Sequence, residues 1–128
     1  MDRERYNYLS GQILDSCIEV HRILGPGLLE SIYQYALITE LTLREINAVQ
    51  RIAVPLFYKG HDTGKVYEID IIVENEIVLE LKAAEALIPL FDAQLISYLK
   101  LSGKRLGFLI NFNVPLLKDG LKRFVNNF

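Results

Sequence analysis

The chain has 128 residues, of which 51% are hydrophobic and 23% charged, and this balance predicts one soluble globular domain over residues 1–128. A net charge of −2 argues against a protein that is held on nucleic acid by overall charge alone. No apolar stretch approaches the roughly 20 residues of a membrane-spanning helix, no signal-peptide core follows Met1, and a single cysteine excludes an internal disulfide. We therefore expect a cytoplasmic protein with no membrane association.

Two helices are predicted in the first third of the chain. Apolar residues recur at helical spacing over about residues 9–24, at positions Ile13, Cys17, Val20 and Leu24. Gly25-Pro26-Gly27 ends this helix, because glycine permits left-handed geometry and proline cannot continue the hydrogen-bond ladder. A second periodic apolar segment predicts a helix over about residues 28–45.

Strand-like sequence follows. Residues 49–58 predict a strand, and Pro55 favours an edge position for it because proline cannot donate to a central ladder. Residues 66–73 and 76–82 predict two further strands, joined by a tight connection. Three consecutive strands with such short connections indicate antiparallel pairing.

The last third of the chain predicts a helix, a strand and a final helix. The third helix covers about residues 90–102 and ends at Gly103. Residues 105–111 predict a buried strand, and residues 116–125 a short terminal helix. The order α-α-β-β-β-α-β-α predicts an α/β or α+β domain with a mixed sheet.

The strands at 66–73 and 76–82 predict a site. If Asn75 is the centre of a three-residue loop, Asp70 faces Glu80 and Glu68 faces Lys82. Alternation places all four charged side chains on one face, and directly opposed residues have Cβ atoms roughly 5 Å apart. A slip of one residue would separate the pair, so the arrangement depends on the register.

The surroundings of this pair predict its chemistry. Nearly continuous apolar runs flank Asp70 and Glu80, which indicates strands that are covered on both faces. Two opposed buried carboxylates repel each other unless a proton or a cation neutralises them, and oxygen ligands suit Mg²⁺ or Mn²⁺. Lys82 would then position an attacking water or stabilise negative charge that develops on a phosphate. The alternative is an ordinary Glu68–Lys82 ion pair beside two hydrated carboxylates.

Two motifs point to a known family. Asp70 followed by Glu80-Leu81-Lys82 resembles the motif of the PD-(D/E)XK nuclease superfamily, with Ile69 in place of proline. Gly27, Glu30 and Tyr33 match G-x-x-E-x-x-Y, so that residues 10–125 resemble the GxxExxY family, small prokaryotic proteins of that superfamily. The resemblance implies a restriction-endonuclease-like αβββαβ core, to which the predicted order adds an N-terminal helix and a short C-terminal helix.

The resemblance also implies a role for each matched residue. Asp70 and Glu80 would bind Mg²⁺ or Mn²⁺ together with the backbone carbonyl of Leu81, and Lys82 would be the catalytic lysine. Glu30 would join the metal shell directly or through water. Alternatively, Glu30 is a structural residue whose negative charge interacts favourably with the helix dipole at the start of its helix.

Four further residues are candidates for supporting or substrate-binding roles. Gln94 and Tyr98 match a Q-x-x-x-Y pattern that relatives acting at DNA ends share. Tyr33 belongs to the family motif, and Glu68 is a candidate partner of the catalytic lysine. The alternatives are core tyrosines with locally satisfied hydroxyls and a buried amide satisfied by backbone.

These residues predict a divalent-metal-dependent nuclease that hydrolyses phosphodiester bonds of nucleic acid, with DNA favoured. The competing hypothesis is a catalytically silent nuclease-fold module that binds a partner or nucleic acid. An exposed strand edge is compatible with a homodimer, the commonest kind of assembly.

Overall fold

A mixed sheet of five strands lies at the centre of the computed structural model, which describes residues 1–128. The strands, given in both chain order and sheet order, are β1 (Ala48–Tyr58), β2 (His61–Val73), β3 (Ile77–Lys82), β4 (Leu106–Asn111) and β5 (Leu121–Val125). Only β3 and β4 run parallel. Pro55 thus lies in an edge strand, as predicted.

Three helices cover the sheet: α1 (Arg3–Leu24), α2 (Glu30–Leu43) and α3 (Pro89–Ser102). The buried residues of α1 and α2 pack on one face, and those of α3 pack on the other. α3 is the crossover that the parallel pair β3 and β4 requires. This arrangement confirms the mixed α+β class and the αβββαβ core. None of the helices is both long and apolar enough to cross a membrane.

Helix α1 begins six residues before the predicted start. The side chain of Asp2 caps it by accepting the N–H of Arg5 at 2.8 Å. Tyr6 is buried, and its hydroxyl donates to Glu76 at 3.0 Å, in the loop between β2 and β3. The contact of Tyr6 with this distant loop stabilises the six added residues of the helix. Helical periodicity alone does not reveal such a contact.

The predicted C-terminal helix over residues 116–125 is wrong. A single 3-10 turn (Leu117–Gly120) leads directly into β5, which pairs antiparallel with β4. Leu121 packs on the α1–α2 face, whereas Phe124 packs on the α3 face, so the chain alternates as a strand. Because β5 supplies hydrogen-bond partners to the outer edge of β4, strand pairing prevails over local helical spacing.

The register of the two site strands is as predicted. Val73 pairs with Ile77, and the next two residue pairs follow in the same antiparallel register. Pairing between β2 and β3 ends after these three pairs, one residue before Asp70 and Glu80. The two acidic residues therefore lie where the strands begin to separate.

Candidate active site

Asp70 and Glu80 are joined through backbone groups. The N–H of Asp70 donates to Oε1 of Glu80 at 3.1 Å, and the N–H of Leu81 donates to Oδ2 of Asp70 at 2.8 Å. These bonds take the place of the backbone ladder at the point where it ends. No main-chain group donates to Oδ1 of Asp70 or Oε2 of Glu80. The two carboxyl groups also lie close enough to share a side-chain hydrogen bond, so a proton or a cation can bridge them.

The electrostatics of this pair favour a neutralising partner. Burial, and then the charge of Asp70, raise the pKa of Glu80 to about 9. Burial also raises the pKa of Asp70, although the Leu81 N–H and the charge of Lys82 oppose that shift. Two buried carboxylates this close do not both ionise at neutral pH without a cation beside them. In the metal-free protein the pair therefore retains a proton.

Lys82 lies beside the acidic pair on the α3 side of the sheet. Its Nζ is 4.4 Å from the centroid of the Phe91 ring, a cation–π contact that holds the side chain against α3. It forms no ion pair with any carboxylate, yet its charge lowers the pKa of both Asp70 and Glu80. The ammonium group thus remains available to an incoming anion.

The predicted pairing of Glu68 with Lys82 does not form. Tyr67 and Ile69 both pack toward α3, so Glu68 between them points to the opposite face of the sheet from Lys82. Glu68 is exposed, and its charge makes only a small contribution to the raised pKa of Asp70. The prediction that the four charged residues share one face is wrong for this residue.

An interruption of the side-chain alternation at Asp70 explains this difference. Ile69 packs with the α3 side, whereas Ile71 packs with α1 and α2, although they are two residues apart. Arg51 lies opposite Asp70 in β1 and has a φ of 54°, which is left-handed. The β1–β2 hairpin therefore switches faces at the site.

Glu30 approaches the pair from the start of α2. Although the residue as a whole is exposed, burial of its carboxyl raises its pKa, as does the charge of Asp70, while Lys82 lowers it. Glu30 is thus within electrostatic range of the predicted site. However, no three His, Cys, Asp or Glu side chains come together closely enough to hold a metal ion. The chain provides two converging carboxylates rather than three.

Tyr33 acts on the turn before Glu30. Its ring is fully buried and stacks on Phe112, with centroids 4.6 Å apart. Its hydroxyl donates to the Gly25 carbonyl at 2.6 Å and accepts the Leu28 N–H at 3.1 Å, which fastens both sides of the turn. Because it is inaccessible to solvent, Tyr33 supports the site by holding the backbone, in agreement with the structural alternative.

Tyr98 and Gln94 occupy α3 on the same side as Lys82. Burial raises the pKa of Tyr98, and the charges of Glu80 and Asp70 add to this, which places the ring close to the acidic pair. Gln94 is partly exposed, and its amide forms no hydrogen bond within the protein. The alternative of a buried amide satisfied by backbone is therefore wrong, and both polar groups remain free.

Two residues of the site escaped sequence analysis. Asn111 is buried, and its amide bonds both the N–H and the carbonyl of Ala84, which fixes the segment after β3. A polar residue at the end of a buried strand was the available signal. Tyr67 stacks on Tyr98 at 5.0 Å, and its buried hydroxyl has no partner. Nothing in the sequence marks it, because strict alternation places it on the other face from Asp70.

Comparison with known families matches residues 7–124 to the PD-(D/E)XK nuclease superfamily. The chain belongs to this superfamily. Neither the curated proteins nor the solved structures give a significant match. In this PD-(D/E)XK protein, the residues that the sequence predicts for the motif lie in two neighbouring strands, Asp70 in β2 and Glu80-Leu81-Lys82 in β3.

The donor set of this PD-(D/E)XK protein fits a hard divalent cation. Mg²⁺ is commonly held by one or two carboxylates and completes its shell with water and substrate phosphate oxygens. The free oxygens of Asp70 and Glu80 meet that need, and a cation would replace the proton that their mutual repulsion retains.

Proposed function

We propose that the protein is a nuclease that hydrolyses phosphodiester bonds of nucleic acid, with DNA favoured, and that it depends on Mg²⁺ or Mn²⁺. The observation that carries the proposal is the Asp70–Glu80 pair, in which each carboxylate has one oxygen that no main-chain group bonds, beside Lys82, which forms no ion pair. Membership of the PD-(D/E)XK superfamily supports it. The residues Gly27, Glu30 and Tyr33 further suggest the GxxExxY branch of that superfamily.

The proposed roles of the residues rest on their positions and on the family resemblance. Asp70 and Glu80 would hold the cation, with the Leu81 carbonyl as a third donor on the strength of the family resemblance. The bound cation supplies Lewis acidity toward a phosphate oxygen and a lowered pKa for a bound water. The ammonium of Lys82 stabilises the negative charge that develops on the phosphate. Glu30 offers an acceptor that can orient a water from the α2 side.

A cleavage assay tests this proposal. Single- and double-stranded DNA and RNA are incubated with the protein in Mg²⁺, in Mn²⁺ and in chelator, and products are resolved by length. We expect cleavage in either metal that is lost in chelator and in Glu80→Gln, whereas the exposed control Glu4→Gln cleaves normally. Absence of cleavage on every substrate, or undiminished cleavage by Glu80→Gln, would refute the proposal.

A second function is favoured by one observation, namely that Glu30 does not join the other two carboxylates in a three-carboxylate cluster. In that case the chain is a catalytically silent nuclease-fold module that binds a partner or nucleic acid. Calorimetry with Mg²⁺ and Mn²⁺ separates the two functions. Heat of binding that disappears in Glu80→Ala supports the nuclease, and nucleic-acid binding without cation binding supports the silent module.

The oligomeric state is a separate prediction. A homodimer would allow two sites to act on two strands, and light scattering in solution tests it directly. A mass corresponding to one chain at all concentrations would remove this part of the proposal.

A further inference from the structure

Strands β1 and β2 continue beyond the sheet as a two-stranded ribbon. β2 pairs with β3 only at residues 71–73, whereas its pairing with β1 continues as far as Tyr58 opposite His61. No third strand accompanies residues 61–69 of β2. We call residues 55–66, the part of this ribbon farthest from the sheet, the ribbon tip.

The part of the ribbon next to the site is held in place. Ile52 and Val54 of β1, together with Ile69 of β2, pack on the α3 side of the sheet. Tyr67 adds a stacked contact with Tyr98, with interplanar angle 13°. An isolated two-stranded hairpin is marginally stable in water, so these contacts fix the direction in which the ribbon leaves the site.

The ribbon tip exposes aromatic rings and unpaired cations. Phe57 and Tyr58 are 56% and 66% exposed, and they are adjacent in the sequence, so that two large rings are exposed together. Nζ of Lys59 lies 5.6 Å from the centroid of the Tyr58 ring, and neither Lys59 nor Lys65 forms an ion pair. The one carboxylate at the tip, Asp62, accepts the Gly64 N–H. The tip is thus cationic in a chain whose net charge is −2.

We propose that the ribbon tip binds a single-stranded segment of the nucleic-acid substrate that extends from the Asp70–Glu80 pair. Phe57 and Tyr58 are consecutive in β1, so their rings lie on opposite faces of the ribbon. A strand that crosses the end of the ribbon stacks an unpaired base on each ring, and the two lysines contact the neighbouring phosphates. Exposed aromatic rings interleaved with cations are the usual platform for single-stranded nucleic acid. This inference rests on the proposed nuclease function, since it concerns the same substrate.

Charge argues against a second copy of the chain as the occupant. Two identical tips that met each other would bring the lysines of each toward those of the other, which is unfavourable. A nucleic-acid strand instead carries a negative charge at every nucleotide, in complement to Lys59 and Lys65. The polyanion therefore fits the tip better than the protein itself does.

The length of the ribbon makes the inference quantitative. His61 is nine residues from Asp70 along β2, a span of about 30 Å at roughly 3.3 Å per residue. At about 3.4 Å per stacked nucleotide, roughly nine nucleotides cover that distance. A stacked oligonucleotide shorter than this occupies the acidic pair without reaching the tip.

Fluorescence anisotropy in chelator measures this binding without cleavage. The probes are oligothymidylates of about 6 and about 20 nucleotides, one shorter and one longer than the estimated span. We expect the double variant Phe57→Ala/Tyr58→Ala to weaken binding of the longer probe by roughly tenfold to a hundredfold and to leave the shorter probe unaffected. The control Tyr35→Ala removes a tyrosine of α2 that is even more exposed than Tyr58, and it leaves both affinities unchanged.

Each result has one meaning. Unchanged affinity of the folded double variant for the longer probe, equal losses for both probes, or no binding by the unaltered protein would overturn the inference. Loss of a dimer in the double variant, seen by light scattering, would assign the tip to a second copy and overturn it as well. Length-dependent binding by a protein that never cleaves would keep the tip site while refuting the nuclease proposal, so the two can fail separately.

Discussion

Asp70 and Glu80 hold each other through the main chain: the Asp70 N–H donates to the Glu80 carboxylate, and the Asp70 carboxylate accepts the N–H next to Glu80. The two bonds fix one oxygen of each acid and leave the other free. Both bonds form one residue beyond the last hydrogen-bonded pair of β2 and β3. The backbone N–H groups that would otherwise lose their partners where the strands separate therefore orient the two acids.

The proton retained by this pair makes stability depend on pH. The pKa of Glu80 is raised from 4.5 to about 9, so between these values the native state keeps a proton that the unfolded chain releases. The free energy of unfolding therefore contains a contribution that is complete below about pH 4.5 and is lost as the pH rises toward 9. Glu80→Gln removes this contribution, because its amide stays neutral throughout.

Urea unfolding in chelator at a series of pH values measures the effect. The difference in midpoint between Glu80→Gln and the unaltered protein is expected to shift in favour of the variant as the pH increases. Glu4→Gln, at an exposed position in α1, is the matched control and should follow the unaltered protein. Parallel midpoints for all three proteins across the range would contradict the prediction.

Lys82 is expected to act on the reaction rather than on folding. Lys82→Met keeps an unbranched chain against the Phe91 ring but removes the ammonium, and loss of one such electrostatic contact typically lowers kcat by roughly 10²- to 10³-fold. The unfolding midpoint should change little. Lys100→Met, at an exposed position in α3, serves as the control in both measurements. A variant that is well folded and fully active would show that the ammonium is dispensable.

Tyr33→Phe tests the turn that precedes Glu30. The ring keeps its stacking on Phe112, but the Gly25 carbonyl and the Leu28 N–H both lose their partner. Both hydrogen bonds are partly buried, and each contributes roughly 0.5–1.5 kcal/mol, so we expect a loss of about 1–3 kcal/mol in unfolding free energy, which chemical denaturation resolves. The control Tyr35→Phe removes an exposed hydroxyl with no recorded hydrogen bond and is expected to change stability by less than about 0.5 kcal/mol.

Gly120→Ala tests the turn into β5. A Cβ at this position would clash with the Asn111 carbonyl oxygen, a backbone atom that cannot move aside, so we expect a loss of about 1–3 kcal/mol in unfolding free energy. Gly11→Ala in α1 is the contrasting control, because nothing lies within 4 Å of the added Cβ. We expect this variant to gain about 0.5–1 kcal/mol in unfolding free energy. Equal stabilities of the two variants would mean that the contact with Asn111 does not constrain the turn.

The sequence was sufficient to predict the register, because it follows from local features. The three-residue loop around Asn75 and the apolar runs on both sides of it fix which residues oppose each other, and this brings Asp70 to Glu80. The interruption at Asp70 was not predictable. It depends on a left-handed backbone conformation of Arg51 in the neighbouring strand, which no residue preference marks. Glu68 was consequently assigned to the wrong face.

The C-terminal segment shows the same limit. Leu116, Leu117, Leu121 and Val125 have spacing that is compatible with a helix, and Gly120 within the segment is the one local signal against it. The outcome is decided by the free edge of β4, which is created only when α3 returns the chain to the sheet. Tertiary pairing of this kind outweighs a weak local preference.

Because main-chain N–H groups orient the acidic pair, we expect the site to tolerate substitutions nearby better than insertions. Every residue other than proline supplies the same N–H, so replacing the apolar neighbours of Asp70 and Glu80 with other apolar residues leaves both hydrogen bonds intact. One residue added to the loop at 74–76 would instead shift β2 against β3 and draw the two acids apart. We therefore expect this hairpin to tolerate apolar substitutions but not insertions or deletions in the loop.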